Sequence, residues 1–327
     1  MNAAGSLMDA VQRYLRERRQ LGFALIAPAT ELKRFAHFAD SRGHEGAITQ
    51  ELQIAWAREH VQRTSAVTAA RRLEIVRPFV THYRQFEVTS EVTPPGVLGR
   101  GHRRLVPHIY TDEEVRALLD AADDLRPTGG MRPLMYCTLF GLIAAAGLRL
   151  SEALQLKMCD VDLDEATITV RQTKFHKSRC LPIAASVVRA LVPYRDRRNR
   201  HADPGPAAPF FTSTNGGILP KSTVQNVFER MRAHLQWQNR GDHAQPRIHD
   251  LRHTFAVRRV QRWHEAGESI EHGMFWLCTY LGHARISDTY WYLTGVPELM
   301  ELVGSKFERF TCEGGSNERW QCDSSSQ

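Results

Sequence analysis

The 327-residue chain contains no apolar run approaching the length of a membrane span, which needs roughly 18 residues. Its opening, MNAAGSLMDAVQRYLRERRQ, lacks the apolar segment of a secretory signal. These absences predict a cytoplasmic protein with no membrane partner. Cysteine is sparse: Cys137, Cys159, Cys180, Cys278, Cys312 and Cys322 form no C-x-x-C pair and no even framework, which argues against disulfides and against a cysteine zinc site. No internal repeat is present, and only CEGGSNERWQCDSSSQ, residues 312–327, is polar enough to read as a flexible tail. Acid is also in short supply. Thirty-six Asp and Glu face 43 Lys and Arg, a net charge of +7, and this balance favours a polyanionic partner such as nucleic acid.

What is present suffices for two folded domains, since 42 % of the residues are hydrophobic and a chain of this length exceeds one compact core. Residues 6 to about 90 read as four helices: Leu7, Val11 and Leu15 recur every four residues, and Leu73, Val76, Val80 and Tyr83 recur at similar spacing. Their polar faces are rich in arginine, a pattern shared by solvated faces and by small basic DNA clamps. The stretch VTPPGVLGRGHRRLVPHI, residues 92–109, combines three prolines, three glycines and a basic cluster without helical period. It is expected to join a domain of residues 1–95 to a second of residues 107–311 through a linker at 96–106. A helix then starts at TDEE, where Thr111 and Glu114 have capping-box spacing. Residues 131–156 read as two apolar helices broken at Gly147, and ATITVRQTKFHKSRCLPI as strand, turn, strand, with Ile168 and Val170 alternating. Pro209 to Thr212 suggests a further short strand. From Pro220 onward STVQNVFERMRAHL, HDLRHTFAVRRVQRW and MFWLCTYLG restore helical periodicity. The second domain is therefore expected to be mostly α with a small antiparallel β-sheet.

Chemistry concentrates in RIHDLRHTFA, residues 247–256. His249 and His253 have the spacing of a zinc-protease helix. Fifteen histidines produce roughly 0.7 such pairs by chance, Asp250 stands where a glutamate base is needed, and no third-ligand motif follows. No metal or other cofactor is expected. His249 and Arg252 instead share one helix face at i,i+3, where a guanidinium offers two parallel donors to phosphate oxygens and an imidazole can exchange a proton. Arg149, among apolar residues just after Gly147, needs an anionic partner, and Glu152 three residues on can hold it. Further along, TYLGHARISDTYWYLTG sets His283 nine residues before Tyr292, with Tyr290 close by.

In combination, GLRLSEAL, TKFHKSRCLPI, IHDLRHTFA, LGH and the tyrosine nine positions later resemble the tyrosine recombinase (phage integrase) family, in the family's order over residues 147–292. The first domain is similar in character to the family's helical, SAM-like core-binding domain, without a motif. The resemblance implies a mainly α fold, a helical core-binding domain followed by a mostly α catalytic domain with a small antiparallel sheet. Its implied catalytic set is Arg149, Lys174, His249, Arg252, His283 and Tyr292, with Glu152 as a supporting acid. Lys177 competes with Lys174, and Tyr290 with Tyr292. The stretch from Arg252 to LGH, containing RWHEAGESIEHGMF, is longer than in common members, so an extra turn or loop is expected between two active-site elements, with the position of Gly267 to Gly273 left open.

The implied activity is site-specific cutting and rejoining of DNA strands through a 3′-phosphotyrosyl intermediate, without metal or ATP. The alternative is a recombinase-derived DNA-binding protein without catalysis. The implied partners are double-stranded DNA, clamped by both domains and the basic linker around Arg100, Arg103 and Arg104, and accessory recombinases or DNA-bending proteins. The implied assembly is a homotetramer on paired sites, joined through a C-terminal segment whose Leu299, Leu302, Val303 and Phe307 have the spacing of one apolar helix face.

Overall fold

The computed structural model describes residues 6–59, 65–101, 105–171, 178–213 and 215–294, with the backbone alone for 292–294. It divides into two compact units, Met1–Arg104 and Leu105–Gln327.

The first unit holds four helices, α1 (Leu7–Gln20), α2 (Ile26–Ser41), α3 (Gln50–Arg58) and α4 (Ala66–Tyr83). A capping box starts α1: Asp9 N–H donates to the Ser6 hydroxyl, while Ser6 N–H donates to the Asp9 carboxylate. The periodic apolar positions face inward, with Val11, Phe35, Trp56, Val76 and Phe79 at the centre. Buried Gln53 ties the segment after α4 to this core, donating to the carbonyls of Thr49 and Glu91 and accepting from the Thr93 hydroxyl.

In the second unit, α5 (Asp112–Asp123) begins at the Thr111–Glu114 capping box. The central helix α6 (Met131–Ala146) is apolar on nearly every side because α5 and two later helices, α8 (Ala185–Arg198) and α10 (Ile248–Glu265), all pack on it. Gly147 ends it with φ +61, a conformation that disfavours other residues, and a Cβ there would lie 2.4 Å from the Phe255 ring. The short α7 (Leu150–Gln155) follows. A three-stranded antiparallel sheet then forms in the order β1 (Val161–Asp162), β2 (Thr167–Val170), β3 (Arg179–Pro182), with Ile168 opposite Leu181 and Val170 opposite Arg179. Ile168, Val170 and Leu181 point into the core, as the period of two requires. The remaining helices are α9 (Lys221–Leu235), α11 (Ile270–Leu281) and α12 (Ser287–Thr294).

The fold is mainly helical with one small antiparallel sheet, as the sequence predicts. Three local features differ. Residues 209–212 form no strand but make isolated bridges, Lys157 with Pro209 and Thr212 with Ile218. Helix α8, whose periodicity is obscured by internal Pro193 and by a charged residue, Arg198, on its buried face, was not anticipated. Between Arg252 and His283 the chain forms no long loop: it folds as the rest of α10, a connection of residues 266–269 and α11. Gly267 closes that connection at φ +70. Gly273 sits within α11, where a Cβ would meet the Trp263 ring at 2.6 Å, so its missing side chain lets the two helices approach. Among the described residues no helix is long and apolar enough to cross a membrane.

Candidate active site

Helix α10 carries the H-x-x-R pair, and its first turn is held by two independent locks. Arg247 N–H donates to Asp250 Oδ2 at 2.8 Å while its guanidinium donates to Oδ1 at 2.6 Å. Tyr110, from the segment before α5, donates its hydroxyl to the Arg247 carbonyl at 3.0 Å and its N–H to the Thr254 hydroxyl at 2.9 Å. Asp250, which occupies the place of a protease base, is thus fully buried as the partner of Arg247. Its consequence is positional: His249 and Arg252 project from a helix end that cannot fray.

Arg252 is 1 % exposed. One terminal nitrogen donates to the Gly147 carbonyl at 2.8 Å; the other donates to the Leu281 carbonyl at 2.6 Å and to His283 Nε2 at 3.1 Å. Both carbonyls belong to helix ends: left-handed Gly147 itself caps α6, and Leu281 closes α11 ahead of left-handed Gly282. The helix termini are negative and short of donors, so a buried cation is favourable there. Because a guanidinium only donates, Nε2 of His283 must accept, and Nδ1 carries the proton that it gives to the Thr289 hydroxyl 2.8 Å away. Burial first, then Arg252, Arg149 and Arg179, hold His283 down to about 4, with Asp288 opposing.

Arg149 precedes α7 and closes a capping box with Glu152. Its N–H donates to Oε2 at 2.9 Å and its guanidinium to Oε1 at 2.7 Å, and its other terminal nitrogen reaches the Gly282 carbonyl at 3.5 Å. Glu152 is itself the hub of the site. Arg179 donates to both of its oxygens, at 3.2 and 2.8 Å, and Arg252 lies 3.7 Å from Oε2. Burial alone would raise the Glu152 carboxyl, but Arg179, and then Arg149, override it and hold the group at about 2. One carboxylate among three guanidiniums leaves a strong net positive charge.

His249 lies on the rim of this cluster, its residue surface open to solvent. The packed surroundings of its ring, followed by Arg252, Arg247 and Arg149, lower its pKa while Asp250 opposes. Its ring stands edge to face against His253 at 4.8 Å, and His253 is wedged against Trp291 of α12 at 5.5 Å. Among the described residues no group of three or more His, Cys, Asp or Glu is placed to hold a metal ion. A cleft of about 490 Å³ runs along Arg149, Arg247 and His249 and continues past Lys221, Gln225 and Arg232 of α9. Four cations, Arg149, Lys221, Arg232 and Arg247, line it against one acid, Glu229.

The structure therefore brings together four residues that the sequence singles out, Arg149, His249, Arg252 and His283, with Glu152 between the arginines. Tyr292 lies on α12, three residues beyond Thr289, so the two share a helix face; its side chain is outside the described residues. Tyr290 is on the same helix and exposed. Lys174 and Lys177 both fall within 172–177, outside the described residues, between Arg171 and Ser178. Arg179 is the residue that sequence reasoning overlooked. A signal existed: in RCLPI, Arg179 alternates onto the face of Leu181 and Ile183, both buried, so a charge is aimed at the core and needs an acid there.

With that geometry established, similarity to known proteins is informative. Residues 109–296 match the model of the phage integrase family. The integrase/recombinase y4rB of Sinorhizobium fredii is 39 % identical over 305 residues, covering 92 % of this chain and 96 % of that protein. The tyrosine recombinase XerC of Chromobacterium violaceum is 27 % identical over 290 residues, covering 86 % and 88 %. Among solved structures, the Tn1549 transposon integrase in complex with a circular intermediate DNA superposes with a TM-score of 0.68 at 16 % identity, covering 93 % of this chain and 99 % of that one. The XerH site-specific recombinase bound to palindromic difH substrate gives 0.65 at 18 %, covering 92 % and 85 %. These two likenesses concern the fold. The extent of the family match and the y4rB identity establish descent: the chain belongs to the phage integrase family of tyrosine recombinases.

Proposed function

We propose that the protein is a site-specific DNA recombinase that cuts and rejoins DNA strands through a 3′-phosphotyrosyl intermediate, using side chains alone. The observation that carries this reading is the joining of Arg149, Arg252 and His283 through Glu152 and the two helix ends, beside an accessible neutral His249. That constellation suits a phosphodiester. Preorganised guanidiniums stabilise the charge that builds on the non-bridging oxygens, an effect worth several kcal/mol (about 3–4 per donor) in a site that excludes water.

In the reaction, the Tyr292 oxygen attacks phosphorus and the bond from phosphorus to the 5′ oxygen breaks. A tyrosine hydroxyl, with an ordinary pKa near 10, gives its proton to His249, which is neutral at physiological pH and so free to accept it. Lys174 supplies a proton to the departing 5′ oxygen. His283 starts with Nε2 accepting from Arg252. An anionic phosphate nearby favours its protonated form, which then donates to a non-bridging oxygen. Attack by a 5′ hydroxyl from another strand reverses the step without loss of bond energy, giving strand exchange. Tyr292 is favoured over Tyr290 as nucleophile because it falls on the Thr289 face of α12, and Thr289 holds His283.

The partners in this reading are double-stranded DNA held by both units and, for exchange, a homotetramer on two sites. The proposed bridging segment with Leu299, Leu302, Val303 and Phe307 lies outside the described residues. The test uses nicked duplexes from the DNA flanking the gene, incubated in EDTA without nucleotide and resolved on a denaturing gel. A covalent protein–DNA adduct mapping to Tyr292 is expected. Binding of these duplexes with no adduct on any of them would favour the second reading, a DNA-binding protein without catalysis.

A further inference from the structure

Arg179 does something for the site that no residue of the expected catalytic set can do. It leaves β3 10 % exposed at its side chain and uses both edges of its guanidinium. Nε donates to the Tyr280 carbonyl at 2.7 Å, near the end of α11, and the two terminal nitrogens donate to the two oxygens of Glu152 at 3.2 and 2.8 Å. Its seat is shaped around it: a Cβ on Gly282 would stand 2.7 Å from a terminal nitrogen and 3.0 Å from the guanidinium carbon. With all three guanidinium nitrogens committed, Arg179 does not line the cleft. It holds Glu152.

The carboxylate of Glu152 is where the consequence arises. Arg149 sits at i,i+3 from it and already makes one guanidinium contact at 2.7 Å, with the other terminal nitrogen only loosely held at 3.5 Å by the Gly282 carbonyl. An arginine and a carboxylate at this spacing close readily into a two-bond pair. Such a pair would fold the Arg149 guanidinium onto Glu152 and cancel its charge. In this site that closure is blocked, because Arg179 takes one place on each carboxylate oxygen and the Arg149 backbone N–H takes the second place on Oε2. Arg149 is left with one guanidinium bond to Glu152, beside that of its backbone N–H, and a face open to the cleft it lines.

We propose that Arg179 is a positioning residue that neutralises Glu152 and thereby keeps the Arg149 guanidinium free for the scissile phosphate. It also ties β3, which follows the segment carrying Lys174, to the end of α11 that precedes His283. This inference rests on the reading of the site as a phosphoryl-transfer centre, and its signature is one of charge rather than of packing. Removing Arg179 leaves an uncompensated carboxylate that captures Arg149 and repels phosphate. Removing the Glu152 charge as well should cancel the harm.

The test is a double-mutant cycle read as the rate of covalent complex formation on a nicked duplex that the wild-type protein cleaves. The variants are Arg179→Gln, Glu152→Gln and the two together. Arg179→Gln is expected to slow cleavage by roughly 10- to 100-fold, somewhat less than loss of a direct donor, while affinity for the same duplex changes by less than about threefold. In the Glu152→Gln background the same change should cost less than about threefold, the non-additivity that a shared charge produces. Equal losses in both backgrounds would overturn the proposal and leave Arg179 as a packing residue, as would Arg179→Gln cleaving at the wild-type rate. If Arg179→Gln does not fold, Arg179→Met, which also removes the charge but keeps an unbranched stem, replaces it in the cycle with the same expected ratio between backgrounds. A wild-type protein that binds but cleaves no duplex would remove the functional reading itself, and this proposal with it; wild-type cleavage with an additive cycle removes only the proposal.

Discussion

The two units use arginine in opposite ways. In the first, guanidiniums lie toward the surface over aromatic rings: Arg42 stands 4.3 Å above Phe38, Arg13 4.8 Å above Phe86 and Arg18 5.4 Å above Tyr14. Each stem covers apolar surface and each head keeps its water. In the second unit, Arg179 and Arg252 are drawn inside and held by Glu152 and by helix-end carbonyls. A stacked surface arginine is replaceable and its charge serves the long-range field. A buried arginine has a fixed direction, and its removal leaves acceptors without donors. The first arrangement suits a sequence-tolerant grip on a polyanion, the second a single phosphate addressed from fixed angles.

The largest expected effects lie at the fixed end of this contrast. Tyr292→Phe removes one hydroxyl and should abolish covalent complex formation on a nicked duplex, while Tyr290→Phe still cleaves. An adduct that persists in Tyr292→Phe and maps to Tyr290 would move the nucleophile two residues upstream. Arg252→Ala comes next. It leaves the carbonyls of Gly147 and Leu281 without their donor, so a loss of about 2–4 kcal/mol in urea unfolding is expected. At a permissive temperature cleavage should fall by about 100- to 1,000-fold. Unchanged stability would mean that the guanidinium is held no more firmly than those of the first unit.

This difference also explains what could be read before the fold was known. Arg149, His249, Arg252 and His283 are legible because each sits in a local motif, GLRLSE, IHDLRH or LGH, in which the neighbours perform the positioning: Gly147 turns the chain, Asp250 locks the helix start, Gly282 ends α11. The capping box at Thr111 and the alternation of Ile168 and Val170 are local in the same sense. Arg179 escaped because its partners, Glu152 and Tyr280, are 27 and 101 residues away in sequence. Helix α8 escaped because its buried face, Leu191, Tyr194 and Arg198, includes a charged residue and the helix contains Pro193, so the apolar periodicity by which helices are recognised is weak. The first unit declares its four helices by period, yet no short motif states which of its arginines matter, since an exposed guanidinium imposes no pattern on its neighbours.

A medium effect is expected from pH, and it belongs to the second unit. His283, His249 and His253 all have pKa values below the ordinary histidine range, each chiefly through burial and then through nearby positive charge. A histidine whose pKa is lowered by folding binds protons more readily in the unfolded chain. Stability should therefore be complete above about 6.5 and decline as pH falls toward about 4, the value for His283. Urea midpoints at pH 7.5 and pH 5 measure this decline. Replacing His283 by Asn removes one contributor, so the interval between the two midpoints should shrink. An unchanged interval would show that His283 does not feel Arg252, Arg149 and Arg179 as the geometry requires.

The smallest effects test the surface end of the contrast. Arg16 and Arg19 of α1 are exposed, so replacing either by Ala should change unfolding stability by less than about 0.5 kcal/mol. Arg18, stacked on Tyr14, should lose about 0.5–1 kcal/mol with its ring contact. If the first unit grips DNA through such groups, their worth appears in binding instead. Each phosphate neutralised contributes about 0.9 to the slope of log affinity against log salt. The Arg16→Ala, Arg19→Ala double variant should thus flatten that slope by up to about two units, irrespective of duplex sequence. An unaltered slope would remove this face of α1 from the DNA interface, whereas a loss confined to one duplex sequence would show that it reads bases rather than backbone.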